Sequence, residues 1–235
     1  MKTIILAGGL GTRLSEETNK IPKPMVKVGK YPVIFHIIKI YEHFKIKKFI
    51  IATGYKSKIL KNYFQNNYFK SKVICKFTGV KTNTGGRILR LKKIIGNETF
   101  MVTYGDGVAN VNIKKLMKFH QKNKSIATMT IVRPPARWGY VKIKNNNVLK
   151  FEEKNQLNEG WINGGFFVFD PKIFNYIKKG NDTILENHVL PRLALEKKLK
   201  CFKHESFWQC MDNIRDKKYL SYLWRKKNPP WKLWK

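Results

Sequence analysis

Carboxylates are scarce in this sequence. Its 235 residues carry 15 Asp and Glu against 48 Lys and Arg, for a formal net charge of +33. A balance this basic, taken alone, suggests nucleic acid or an anionic membrane as a partner. The lysines run along the whole length instead of gathering in a block, which argues against a specific nucleic-acid site; a positive field still speeds capture of small polyanions. Cysteine is equally sparse. Cys75, Cys201 and Cys210 are scattered and odd in number, so neither a disulfide framework nor a zinc site is expected, and a reducing, cytoplasmic setting fits. The five histidines, His36, His43, His120, His188 and His204, show no ligand spacing, and no Ser/His/Asp or Cys/His set suggests a covalent nucleophile. No apolar run approaches the ~18 residues of a membrane span. The first residues enter a strand directly, so no secretion signal is expected.

Two common phosphate motifs are also missing. G-x-x-x-x-G-K-[ST] fails because no Gly-Lys-Ser/Thr closes the loop, and G-x-G-x-x-G fails because Leu14 stands where the third glycine belongs. Present instead is a stretch of twenty-five residues that organises the rest. Thr3-Ile4-Ile5-Leu6 is a short apolar run with the character of a buried parallel strand. Gly8, Gly9 and Gly11 follow at once, and glycine lets a ligand approach the main chain without a Cβ in the way. Successive N–H groups in such a turn form an electropositive cradle for phosphate oxygens. Arg13 adds a planar cationic fork, and Lys23 a point charge stiffened by Pro22 and Pro24.

Further along, apolar runs alternate with helical spacing, the pattern of an α/β chain. Strands are expected at Lys48–Thr53, Val73–Phe77, from Phe100 until the chain runs out into Asp106, and at Ile126–Val132, Trp161–Phe169 and Leu199–Lys203. Helices are expected at Pro32–Tyr41, Ser57–Phe64, Ile88–Ile95, from Ile113, from Asp170 to Lys178, Thr183–Glu196 and Ile214–Arg225. Tyr140–Ile143 and Val148–Phe151 flank Asn145-Asn146-Asn147, a hairpin signal. Thr84-Gly85-Gly86-Arg87 reads as a second glycine turn ahead of a helix. Asp106 stands between Gly105 and Gly107 at the end of a buried strand, placed to serve as one of the one or two carboxylates that Mg²⁺ takes. Asp212, after the aromatic Phe207-Trp208, suits the N-cap of the helix that starts at Ile214.

The motifs GGLGTRLSEET (8–18), IPKPM (21–25), TGGR (84–87), TYGDGV (103–108), INGGFFV (162–168), FWQCMDNIRDK (207–217) and PWK (230–232) span nearly the whole chain. Together they resemble the sugar-phosphate nucleotidyltransferases, and within them the branch that joins CTP to glucose 1-phosphate. The resemblance implies a Rossmann-like α/β fold with a mostly parallel central sheet, flanking helices and a small β-rich sugar-binding part. It implies one domain over 1–235, with 1–125 mainly binding nucleotide and 126–235 mainly binding sugar phosphate. Nucleotide contacts are implied for Leu6, Ala7, Gly8, Gly9, Leu10, Gly11, Thr12, Arg13, Lys23, Thr82, Arg87 and Gly105, with Arg13, Lys23 and Asp106 in the chemistry. Sugar-phosphate contacts are implied for Gly139, Glu153, Lys154, Asn163 and Gly164, and Mg²⁺ ligation for Asp106 and Asp212. The implied partners are CTP and glucose 1-phosphate, with no specific nucleic acid, no membrane, and room for a homo-oligomer.

Three departures accompany the resemblance. The chain is short between Tyr68 and Thr82, a region implied to lie near the base and subunit contacts. Asn155 follows Glu153-Lys154 where proline is usual, and Cys210 replaces the proline before Met211-Asp212. Both leave the chemical residue in place. The same chemistry with dTTP or UTP, or with another hexose phosphate, stays open, as does a basic non-catalytic binding protein on this scaffold.

Overall fold

A computed structural model describes residues 1–135, 140–145, 147–152 and 160–234. In chain order the main elements are β1 (Thr3–Ala7), α1 (Val33–His43), β2 (Lys48–Thr53), α2 (Ser57–Asn66), β3 (Lys72–Phe77), α3 (Thr84–Arg90), β4 (Phe100–Tyr104) and β5 (Gly107–Ala109). Then follow α4 (Ile113–Asn123), β6 (Ala127–Val132), β7 (Tyr140–Lys144), β8 (Asn147–Glu152), β9 (Ile162–Phe169), α5 (Leu190–Leu195), β10 (Leu199–His204), β11 (Trp208–Cys210) and α6 (Ile214–Arg225).

The described residues form a seven-stranded sheet in the order β10-β6-β9-β4-β1-β2-β3. Every neighbouring pair is parallel except those made by β9, which runs antiparallel to both β4 and β6. The result is the mostly parallel α/β sheet expected from the strand–helix alternation. β7 and β8 pair antiparallel as a separate hairpin.

Because strand side chains alternate between faces, the sheet divides its apolar residues between two cores. Ile5, Phe49, Ile51, Met101 and Phe166 face α1, α4 and α6; Ile4, Leu6, Ile50, Val102 and Phe167 face α3 and the segment from Ile173 to Leu193. Covering both faces explains why β1 and β2 read as continuous apolar runs. Trp231 is fully buried, so the aromatic C-terminal segment packs on the domain, over His36. Among the described residues no helix is long and apolar enough to cross a membrane.

Two expectations are corrected. Gly85 and Gly86 do not make a turn ahead of a helix; they lie in the first turn of α3, which starts at Thr84. Their amides donate to Thr183 O at 2.9 and 3.2 Å, and side chains there would collide with Asn181 and Thr183. The glycines thus serve close packing of backbone on backbone. The helix expected from Thr183 opens instead as a wide π-type turn, Leu185–Val189, ahead of α5.

Candidate active site

β1 delivers the glycine loop to the carboxyl edge of the sheet, where doubly wound folds place their ligands. Gly11 takes the left-handed backbone conformation, with φ +71°, and opens the short helical turn that carries Arg13. The loop is held from behind by Arg87, which is 4 % exposed. Its guanidinium donates to Gly8 O at 2.8 Å, Gly79 O at 2.7 Å and Thr78 Oγ1 at 2.8 Å, and to Thr53 O and Val80 O at 3.3 Å. Arg87, read from sequence as a nucleotide contact, therefore spends its donors on the loop and its neighbours.

A cavity of about 380 Å³ opens in front of the loop. Leu6, Ala7, Gly8, Gly9, Gly11, Thr12, Arg13, Lys23, Thr82, Arg87, Gly105 and Asp106 all line it. Leu10 does not; it points outward and is 52 % exposed. Beside it lies a second cavity of about 450 Å³, lined by Pro134, Pro135, Ile162, Asn163, Trp208, Gln209, Cys210 and Asp212. The two share Arg13, Tyr104 and Asp106 as a common wall. Asn163, expected from the resemblance to contact sugar phosphate, lines this second cavity. Gly164 lies behind this wall, its carbonyl accepting from Trp208 Nε1 at 2.8 Å. Gly139, Glu153 and Lys154 fall outside the described residues.

Asp106 and Asp212 converge on Lys23. The ammonium stands 2.5 Å from Asp106 Oδ2 and 2.7 Å from Asp212 Oδ1, and Arg13 reaches Asp212 Oδ2 at 3.0 Å. Burial alone pulls the Lys23 pKa down, but the two carboxylates outweigh it and hold it above the ordinary lysine value. Burial likewise pushes Asp212 up, while Lys23 and Arg13 hold it below the usual carboxylate range. The antiparallel ladder of β5 and β11 brings the two carboxylates together: Gly107 faces Cys210, and Met211 N donates to Asp106 O at 2.9 Å. Asp212 is released from capping, because Asn213 caps α6 in a reciprocal box with Asp216. The ammonium marks a point where a cation meets two hard oxygen donors. Two carboxylates leave most of an octahedral shell to water and phosphate, the donor set a divalent ion such as Mg²⁺ accepts, and the residues present fit one.

Cys210, at the usual proline position, has its thiol pushed up to about 12 by burial and by Asp212, Asp106 and Asp216, so it is no nucleophile at neutral pH. Sequence reasoning missed Tyr104 and Trp208, which line these cavities. The aromatic beside each metal-type aspartate was the available signal for both.

A glycine cradle, a basic fork and two carboxylates around one cation define a domain built to hold nucleoside phosphates and transfer one of them. The chain belongs to the nucleotidyl transferase family, whose model matches residues 2–215. It is 42 % identical to a glucose-1-phosphate cytidylyltransferase of Salmonella typhimurium over 258 aligned positions that cover all of both chains. It is 37 % identical to a probable glucose-1-phosphate cytidylyltransferase of Bacillus subtilis over 255 positions, again covering both completely. In fold it resembles a putative glucose-1-phosphate thymidylyltransferase from Bacillus anthracis, with a TM-score of 0.77, 22 % identity and 96 % and 95 % of the two chains covered.

Proposed function

We propose that this protein transfers a cytidylyl group from CTP to glucose 1-phosphate, releasing pyrophosphate and forming CDP-glucose. The observation that carries the reading is the Arg13–Lys23–Asp106–Asp212 cluster. It stands between a cavity lined by the glycine loop and a second one lined by Asn163 and Trp208. The full-length likeness to cytidylyltransferases supports the choice of base and sugar. The first half of the chain supplies most of the nucleotide side and the second half most of the sugar-phosphate side.

In this mechanism an oxygen of the sugar phosphate attacks the α-phosphorus of CTP as the bond to the β-phosphate oxygen breaks. The attacking oxygen is already anionic, so no general base is required, and catalysis rests on alignment and charge neutralisation. Arg13 neutralises the leaving pyrophosphate, and Lys23 turns from the carboxylates to the α-phosphate. Lys154 is assigned to the phosphate of the incoming sugar, with Glu153 and Gly139 beside the hexose. Asp106 and Asp212 would hold Mg²⁺, which when bound would supply further neutralisation of phosphate charge. Cys75, Cys201 and Cys210 are free thiols, which suits a reducing cytoplasm.

The test is pyrophosphate release from glucose 1-phosphate with Mg²⁺ and each of CTP, dTTP, UTP, ATP and GTP separately. Release with CTP alone is the expected result. Release with another triphosphate keeps the chemistry and overturns the base assignment, and release with none from folded protein overturns the reaction.

A further inference from the structure

The Asn163-Gly164-Gly165 stretch of β9 forms a seat for Tyr104. Gly165 has φ +77°, and a Cβ on it would lie 2.6 Å from Tyr104 Cδ2. The ring of Tyr104 uses that space. Asn163 Nδ2 donates to the Tyr104 hydroxyl at 2.9 Å, while its Oδ1 accepts from Gly165 N at 2.8 Å. The Tyr104 hydroxyl donates in turn to Glu186 Oε1. The other oxygen of Glu186 accepts from the Thr84 hydroxyl at 2.7 Å, and Thr84 Oγ1 accepts from Leu185 N at 2.8 Å. Glu186 lies in the π-type turn before α5, a distortion enriched at functional sites.

Both ends of this chain of hydrogen bonds are backbone N–H groups, which can only donate. Gly165 N therefore fixes the amide of Asn163 with its nitrogen toward Tyr104. Leu185 N fills a lone pair of Thr84, whose proton goes to Glu186. A carboxylate has no proton of its own to give, so the phenolic proton of Tyr104 also goes to Glu186. With its proton committed and one lone pair taken by Asn163, the Tyr104 oxygen has only acceptor capacity left. That oxygen belongs to the residue shared by both cavities.

We propose that Tyr104 is a specificity-determining residue that accepts a hydrogen bond from a sugar hydroxyl at the junction of the two cavities, and that Glu186 is the positioning residue keeping its proton turned away. The proposal rests on the reading of this chain as a sugar-phosphate nucleotidyltransferase, and it names what that site reads. A polar site built to receive a hydroxyl rejects the deoxy analogue, because the acceptor is then left unpaired.

The experiment compares the full-length wild type with Tyr104→Phe, Glu186→Ala and Glu186→Gln. Affinity for glucose 1-phosphate and for its 2-, 3-, 4- and 6-deoxy derivatives is read from tryptophan fluorescence, since Trp208 lines the same cavity. The α,β-methylene analogue of CTP is present in the binding measurements, and KM and kcat for pyrophosphate release are measured separately with CTP. The wild type is expected to bind one deoxy derivative about tenfold more weakly than glucose 1-phosphate, the worth of one hydrogen bond. Tyr104→Phe should bind glucose 1-phosphate about tenfold more weakly and lose that preference, with KM for CTP unchanged. Glu186→Ala should follow it. Glu186→Gln, which keeps an acceptor for the phenol, should retain the preference. Discrimination by Tyr104→Phe equal to the wild type's overturns the proposal, as does an equal rise in both KM values. Absent turnover with the binding pattern intact overturns the transferase reading and leaves the Tyr104 assignment standing. No binding of glucose 1-phosphate by the wild type overturns both.

Discussion

Acid should loosen this protein through one imidazole. His36 is completely buried on α1, among Trp224, Trp231 and Trp234. Its Nδ1 accepts from Trp231 Nε1 at 3.4 Å, which leaves the proton on Nε2 to be donated to Val28 O at 3.0 Å. Burial pulls its pKa from 6.5 down to about 4, against the opposing pull of the backbone acceptors. The neutral ring is the folded form, whereas the unfolded chain takes up a proton below pH 6.5. The stabilisation is therefore complete above that value and drains away as the pH falls toward 4. A shift of this size corresponds to ~3 kcal/mol in full and ~2 kcal/mol by pH 5. The assay is urea unfolding at pH 7.5, 6, 5 and 4.5 for the wild type and for His36→Phe. The variant starts less stable, since Val28 O and Trp231 Nε1 lose their partner. The comparison that matters is the slope with pH, in which His120 and His204, also lowered by burial, cancel between the two proteins. The wild type should lose ~2 kcal/mol more than the variant between pH 7.5 and 5. Parallel slopes would show that His36 does not titrate as its surroundings dictate.

Lys23→Ala should lower turnover ~10²–10³-fold in steady-state pyrophosphate release. Its melting temperature should also gain more from Mg²⁺ than the wild type's, because Asp106 and Asp212 then lose the cation they share, with Arg13 left on Asp212 alone. Arg87→Lys cannot reach five acceptors and should cost about 2–3 kcal/mol in chemical denaturation, the penalty for buried carbonyls left unpaired. Gly8→Ala would place a Cβ 2.1 Å from Arg87 Nη1, so it should raise KM for the nucleotide while leaving far-ultraviolet circular dichroism unchanged.

Much of this molecule is legible along the chain because its elements are bounded locally. β2 and α6 fall at the expected residues, Lys48–Thr53 and Ile214–Arg225. β2 is an apolar run stopped by Gly54, and α6 is announced by Asn213 with Asp216 three residues on. The first cavity gathers the residues expected of it apart from Leu10, since a glycine loop fixed by local geometry turns a predictable side to the cavity. Contacts distant in sequence escape such reading. Arg87 stands in a motif that suggests phosphate, yet its partners come from Gly8, Thr53 and the stretch 78–80. Glu186 meets Tyr104 across 82 residues of sequence, and no periodicity or motif announces a pairing of that span. The cap that Asp212 could have made from sequence is made by its neighbour Asn213.

The ladder between β5 and β11 also bears on how the protein comes into being. Domains tend to fold from the N-terminus during synthesis, and β1, β2 and β4 can pair early. Asp212 stands beside Asp106 because Trp208, Gln209 and Cys210 pair with Ala109, Val108 and Gly107. A nascent chain still short of that segment carries its glycine loop, Arg13 and Lys23 with only one of the two carboxylates. A chain ending before that segment should therefore lack the full set of contacts that Asp106 and Asp212 together make to Lys23.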